Sequence, residues 1–233
     1  MNFTGIGTAA NVLAIIAGAL LGVILRRGLP ERVEKILVEA ISLAVVVIGI
    51  QMALKTQNIL IAVVSLAIGA VVGEIIDINE WFNRFGKWAG DKIAHGDEAV
   101  GAKVALGFVT ASLLFCPGAM AVIGAIQDGL ANDAATLYAK AILDGIFAVV
   151  MAANLGIGVA LSAVSVGIYQ GTITLLAGVL EPIATPAVLA EITSVGGLMV
   201  FAIGLNLLKV TQIKVANLMP AVIPAIILAY WLG

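Results

Sequence analysis

The sequence predicts an all-α polytopic membrane protein of about eight transmembrane helices. Three observations carry that reading. Of 233 residues, 62% are hydrophobic and 11% charged, whereas soluble domains carry about a quarter charged residues. Charge-free runs recur at the length a helix needs to cross a bilayer, about 20 residues. The lysines and arginines between those runs fall mostly on one side of the resulting topology. Residues 1–233 read as one transmembrane domain. It comprises a first repeat (1–77), an interfacial helix (78–97), a central broken-helix hairpin (98–160) and a second, inverted repeat (161–233).

The first span, residues 5–25, contains Asn11 and a small-residue pair, Gly18 and Gly22, spaced for close helix contact. The second, 36–54, carries Glu39 near its start. The third, 58–73, has a second small pair, Gly69 and Gly73, and ends at Glu74 and Asp77. Residues 78–94 differ. Ile78, Trp81, Phe82, Phe85 and Trp88 recur at steps of three and four, with Glu80, Asn83, Arg84, Lys87 and Asp91 on the other face. That pattern predicts an amphipathic helix lying in the interface, its aromatics at headgroup depth.

The fourth span lies in 104–127, which has no charge, and is interrupted at Phe115-Cys116-Pro117-Gly118. Proline removes a backbone donor and clashes with the preceding turn, and glycine adds freedom. Two readings fit: a kink packed against neighbours, or a helix broken at mid-membrane with the amino end of its second half open to a ligand. Asn132-Asp133 turns the chain into the fifth span, which carries Lys140 and Asp144. Residues 145–180 are uncharged and too long for one crossing, so a turn is expected near Ser162 to Ser165. The seventh span covers 192–208 and the eighth 215–232, the latter with Asn217, Pro220 and Pro224 inside and Tyr230-Trp231 at its far end.

With the loop after span one placed inside, Arg26, Arg27, Arg32, Lys35, Arg84, Lys87, Lys92, Lys103, Lys209 and Lys214 are inside, and only Lys55 and Lys140 outside. This predicts a multi-pass protein of the bacterial inner (plasma) membrane with both termini outside. A net charge of −2 argues against nucleic acid as a partner. The single cysteine, Cys116, excludes an internal disulfide and a cysteine-based zinc site. The single histidine, His95, lies in a polar stretch and is expected in solvent. Without a Cys–His pair or a glycine-rich phosphate loop followed by lysine, no enzyme and no cofactor is expected.

An internal echo supports the repeat. Ile48-Gly49-Ile50-Gln51-Met52 resembles Ile203-Gly204-Leu205-Asn206-Leu207 at an offset of 155 residues, and at the same offset Thr56-Gln57 matches Thr211-Gln212 and Ile68 matches Ile223. Ile15-Ile16-Ala17-Gly18 resembles Leu175-Leu176-Ala177-Gly178 at an offset of 160. Spans one to three thus echo spans six to eight with opposite topology, a pattern of secondary transporters whose sites lie near mid-membrane.

Ordered motifs in the middle of the chain also match a known family. They are Gly107-Phe108-Val109-Thr110-Ala111-Ser112, Phe115-Cys116, Gly118-Ala119-Met120, Gly124-Ala125, Leu137-Tyr138-Ala139-Lys140, Leu143-Asp144-Gly145, Leu155-Gly156-Ile157-Gly158-Val159, Tyr169-Gln170-Gly171 and Gly204-Leu205-Asn206. On these the chain resembles the bacterial membrane family called domain of unknown function 554; Pro117 is not among the matching positions. The resemblance covers essentially the whole chain. It implies the membrane class and, from the family's usual label, transport, with no substrate attached.

The candidate residues follow from the cost of polar groups in apolar surroundings. Asp144, about two turns into span five, is a carboxylate where charge is costly and usually faces a partner or a wet cavity. Lys140, one turn earlier, offers a structural pairing instead. Asp128, a second ion-coupling candidate, sits close to the hairpin loop, where a solvated helix end is the simpler expectation. Asn11, Gln51, Asn154, Gln170 and Asn206 are intramembrane amides that either join helices or bind a solute. Cys116, the Gly118 backbone and Tyr169 complete the substrate-binding set. The reading is a secondary transporter of a small polar or anionic solute, coupled to protons or sodium. The alternatives are an oligomeric channel or pore, and a non-transporting scaffold or sensor using the interfacial helix. Expected partners are the lipid bilayer, a small solute or ion, and a second copy in a homodimer; the pairs Gly18/Gly22, Gly69/Gly73 and Gly167/Gly171 offer three faces for close approach, some of which must serve packing within one subunit.

Overall fold

The computed structural model describes residues 4–26, 31–94, 98–116 and 118–232. His95, Arg27 and Pro117 lie outside the described residues. Among those described there is no strand. The helices are α1 Ile6–Arg26, α2 Glu31–Ala53, α3 Ile59–Ile76, α4 Ile78–Ala94, α5 Glu98–Phe115, α6 Ala119–Ala131, α7 Ala135–Leu155, α8 Gly158–Leu175, α9 Ala177–Leu180, α10 Pro186–Leu207, a 3-10 helix Val215–Ala221, and α11 Val222–Leu232.

Among the described residues six stretches are long and apolar enough to cross a membrane: Ile6–Leu25, Ile59–Ile76, Ala135–Leu155, Gly158–Leu175, Pro186–Leu207 and Val215–Leu232. The pair α5–α6 makes a seventh if counted as one span, bent by 69° at its break. The apolar part of α2, Val38–Ala53, is shorter, because charged residues occupy the helix's first turns. The protein is therefore an all-α polytopic membrane protein. Six or seven of the roughly eight expected crossings meet the length and apolarity needed.

Local chemistry sets the helix ends. Asn58 caps α3, its side chain accepting from the Leu60 amide, and Thr185 caps α10 ahead of Pro186, whose missing N–H costs nothing there. The turn expected near Ser162 to Ser165 lies instead at Gly156, whose φ of +78° ends α7. The two serines sit inside α8. Ser162 Oγ donates to the Val159 carbonyl at 2.7 Å, and Ser165 Oγ accepts from Ser112 Oγ at 3.0 Å. Serine hydroxyls satisfied in this way do not interrupt a helix.

The helices gather into two units. The first takes α1, most of α4, and α5 to α9. Its centre is α7, against which α1 packs most extensively. A Cβ on Gly18 would strike the Gly145 carbonyl, and one on Gly22 the Val149 carbonyl. These small residues let α1 and α7 run side by side in parallel. In the same way Gly158 admits the backbone of Val104, so α8 lies along α5. On α4, Phe85 stacks on Phe108 with ring centroids 4.9 Å apart, and Lys92 lies 4.6 Å over the Trp88 ring. Trp88 itself stays exposed.

The second unit takes α2 from Lys35, α3, the first turn of α4, α10, the 3-10 helix and α11. Here α2 and α10 cross antiparallel through glycines. A Cβ on Gly49 would meet Phe201, and one on Gly204 would meet Val46. Each contact is the image of the other at the offset of 155 residues. Helix α3 runs antiparallel to the 3-10 helix, with Gly69 against Ala221 and Gly73 against Asn217. Ile61, Val188, Ile192 and Ala229 form a buried apolar cluster. Asn217 accepts from the Asn79 amide at 2.6 Å and donates to Glu74 Oε2 at 2.7 Å. Glu74 also accepts from Lys214, which holds that ammonium above the usual lysine range. Two of the three small-residue pairs that offered close approach, Gly18/Gly22 and Gly69/Gly73, serve packing within one chain. Of the third pair, Gly171 has nothing within 4 Å of an added Cβ.

Candidate functional site

The first unit buries an ion pair. Lys140 and Asp144, one turn apart on α7, are 7% and 6% exposed and form an ion pair of 2.6 Å. Lys140, counted on the outer side of the topology, lies within the helix packing of span five, where the partner one turn away offsets the cost of burying its ammonium. The pair has further company. Asn11 Nδ2, brought by the parallel packing of α1 on α7, donates to Asp144 Oδ2 at 2.9 Å and to Gln170 Oε1 at 3.3 Å. Two atoms of this cluster are buried without a partner: Asn11 Oδ1, an acceptor, and Gln170 Nε2, a donor. The site therefore joins a carboxylate, an ammonium and two amides from three helices, with one acceptor and one donor unspent.

Asp128 departs from its expected place at a solvated helix end. It is 0% exposed, and its Oδ2 accepts from the Gly7 amide at 3.0 Å. The carboxylate caps the first turn of α1, where free N–H groups and the helix dipole favour a negative charge. The start of α1 is pinned to this corner by a second bond, from Thr4 Oγ1 to Asn132 Oδ1 at 2.8 Å.

The remaining candidates lie elsewhere. Asn154, 6% exposed, stands in the last turns of α7 and donates to the Val150 carbonyl, leaving its Oδ1 unpartnered. Tyr169 adjoins Gln170 on α8 and is half-buried. Cys116 is half-buried at the α5–α6 break, and nothing lies within 4 Å of a Cβ on Gly118. Gln51 is exposed in the last turn of α2. Asn206 organises the loop after α10, its Oδ1 accepting from Thr211 and Ile213 and its Nδ2 donating to the Ile213 carbonyl. Since α2 and α10 are antiparallel, the fold puts Gln51 and Asn206 at opposite ends of that pair. The structure thus brings together Asn11, Asp144 and Gln170, with Lys140 beside them.

One buried acid escaped the sequence reading altogether. Glu191, on α10, is 1% exposed. It accepts from Thr56 Oγ1 at 2.8–2.9 Å, from the Gln57 amide at 2.7 Å and from the Asn58 amide at 3.1 Å. It holds the turn between α2 and α3. The available signal was an acid more than a turn inside an otherwise uncharged 22-residue helix.

The model of one family, described as "Protein of unknown function (DUF554)", matches residues 6–230. The chain is 33% identical over 230 residues to an "Uncharacterized membrane protein YdfK" of Bacillus subtilis (strain 168), covering 95% of each chain. It is 30% identical over 221 residues to an "Uncharacterized protein YqgA" of Escherichia coli (strain K12), covering 94% of each. No solved structure matches it. With the match spanning nearly every residue, from the start of α1 to the end of α11, the chain belongs to the DUF554 family.

Proposed function

We propose that this protein is a secondary transporter of a small polar or anionic solute, coupled to protons or sodium, in the bacterial inner membrane. The observation that carries the reading is the buried cluster of Lys140, Asp144, Asn11 and Gln170 with its unspent donor and acceptor. A buried ion pair is a poor route to stability, and each unpartnered buried polar atom costs about 1–3 kcal/mol. Ionisable groups in membrane helices commonly mark solute or ion paths. In this mechanism Asp144 takes up the coupling cation and so releases the Lys140 ammonium. The freed ammonium, Asn11 Oδ1 and Gln170 Nε2 then meet the solute.

An inverted repeat underlies the reading. The reciprocal contacts of Gly49 with Phe201 and of Gly204 with Val46 support it, since a twofold relation between α2 and α10 would produce such a pair. The distribution of lysines and arginines supports eight crossings with both termini outside, and the helix directions within each unit are compatible with it. In the first unit α1 is parallel to α7 and antiparallel to α8; in the second, α2 is antiparallel to α10 and α3 to the 3-10 helix. A homodimer through the open Gly171 face of α8 belongs to the same proposal, and catalysis has no part in it.

A solute panel screened by thermal shift of the purified protein, followed by counterflow in proteoliposomes, tests the reading. Solute-dependent counterflow is expected. Conductance without counterflow would make the protein a channel, and neither activity would leave a scaffold or sensor.

A further inference from the structure

Buried polar atoms in folded proteins nearly always have partners. Seven side-chain atoms among the described residues do not, and five of them cluster where α1, α6 and α8 meet: Thr8 Oγ1, Asn11 Oδ1, Asp128 Oδ1, Gln170 Nε2 and Thr174 Oγ1. Helix geometry arranges them in two layers. Asn11 and Gln170 bond to one another, and nearby Gly167 faces Val12, so α1 and α8 cross antiparallel. Thr8 lies one turn back along α1 from Asn11, and Thr174 one turn on along α8 from Gln170, each on the same helix face. The antiparallel crossing therefore sets Thr8 and Thr174 together in the next layer.

Helix α6 closes that layer. Asp128 Oδ2 bonds to the Gly7 amide, next to Thr8, and Gly129 lies against the carbonyl of Thr174. Thr8, Asp128 and Thr174 are 8%, 0% and 4% exposed. Thr174 belongs to the last turn of α8, where helix carbonyls carry partial negative charge. The α1 amide occupies one oxygen of Asp128 and leaves the other free. What remains unpartnered is one carboxylate oxygen and two hydroxyl oxygens in a buried corner, with the Thr174 carbonyl, which accepts from the Leu176 amide, beside them. All are hard oxygen donors, the ligand set of alkali and alkaline-earth cations. A single negative charge suits a monovalent ion, and the close approach that Gly7 and Gly129 allow suits a small one.

We propose that Asp128 Oδ1, Thr8 Oγ1 and Thr174 Oγ1 form a binding site for one dehydrated sodium ion. Within the transport reading the site selects sodium and holds it one helical turn from the Asn11–Gln170 contact, from where it passes to the coupling carboxylate Asp144. Only that role rests on the transport reading; the binding does not.

The test uses the full-length protein purified in detergent. Its melting temperature is followed in sodium, potassium and choline chloride at equal ionic strength, and radiolabelled sodium binding is measured directly. Sodium is expected to raise the melting temperature saturably while potassium and choline do not, with one ion bound per chain. Asp128→Asn keeps an acceptor for the Gly7 amide and is expected to weaken sodium binding at least about tenfold. The double variant Thr8→Val/Thr174→Val keeps side-chain volume and removes only hydroxyls that have no partner. It is expected to do the same, and it decides the matter if Asp128→Asn fails to fold. Absence of sodium binding, equal responses to sodium and potassium, or wild-type binding by the valine variant would overturn the site. Sodium bound by a protein that fails every transport assay leaves the site standing and removes the transport reading. Coupled transport without sodium binding does the reverse.

Discussion

Lys140 and Asp144 are joined at 2.6 Å on one face of α7, and the same carboxylate oxygen accepts a second bond from Asn11 on α1. Removing Asp144 alone strands a buried ammonium. Asp144→Asn is therefore expected to cost about 3–5 kcal/mol, and Lys140→Met a similar amount. The double variant should recover more than half of the summed loss. Unfolding in detergent, scored as a double-mutant cycle, measures this. Additive losses would mean that the pair contributes no coupling.

Glu191 is the sole described acceptor for the Gln57 amide, and the Asn58 amide and Thr56 hydroxyl bond it as well. Glu191→Ala is expected to destabilise the protein by at least about 2 kcal/mol, since buried donors lose their acceptor. Glu191→Gln keeps one acceptor oxygen and should cost less. Thermal melts of both variants check the order, and a neutral Glu191→Ala would show that the turn between α2 and α3 is held by other contacts.

The glycines divide into two groups. Gly73 lies against the Asn217 backbone, so a methyl group there must push α3 off the 3-10 helix. Gly73→Ala should cost about 2–3 kcal/mol through overpacking. Gly171 has open space, and Gly171→Ala should be neutral or stabilise by up to about 1 kcal/mol through helix propensity. The bulkier Gly171→Leu should convert the proposed dimer to monomer in native mass spectrometry. Equal melting temperatures for the two alanine variants would contradict the packing account.

Topology follows from the charge distribution. Single cysteines at Thr56 and Pro182, in a Cys116→Ala background, should react with an impermeant reagent added outside intact cells. One at Lys87 should react only after the membrane is permeabilised. Labelling of Thr56 from the cytoplasmic side alone would reverse the orientation drawn from the charge distribution.

The helices were legible because charge-free runs in a chain this apolar leave few alternatives, and the Lys140–Asp144 pair because its spacing of four is a local helix relation. What was not legible depended on contacts distant in sequence. The Gly156 turn has no flanking charge, and the serines at 162 and 165 resemble turn formers until their hydroxyl partners are seen. Asp128, near the hairpin loop, reads as solvated, yet the amino end of α1 folds over it from 121 residues away. Glu191 reads as a residue near a helix start; only the arrival of residues 56–58 makes it a buried acceptor. Asn11 and Gln170 stood out as intramembrane amides, but their meeting at one carboxylate is a property of how α1, α7 and α8 cross.

The central claim, that Asp144 couples ion movement to solute transport, is tested most directly in proteoliposomes. Ion-gradient-driven uptake and equilibrium exchange of one solute are compared for wild type, Asp144→Asn and the folded double variant Asp144→Asn/Lys140→Met. Both variants are predicted to lose gradient-driven accumulation, while exchange, which need not move the coupling ion, survives in Asp144→Asn, whose Lys140 ammonium still meets the solute. A folded Asp144→Asn protein that still accumulates solute at the wild-type level down the same ion gradient would contradict the account.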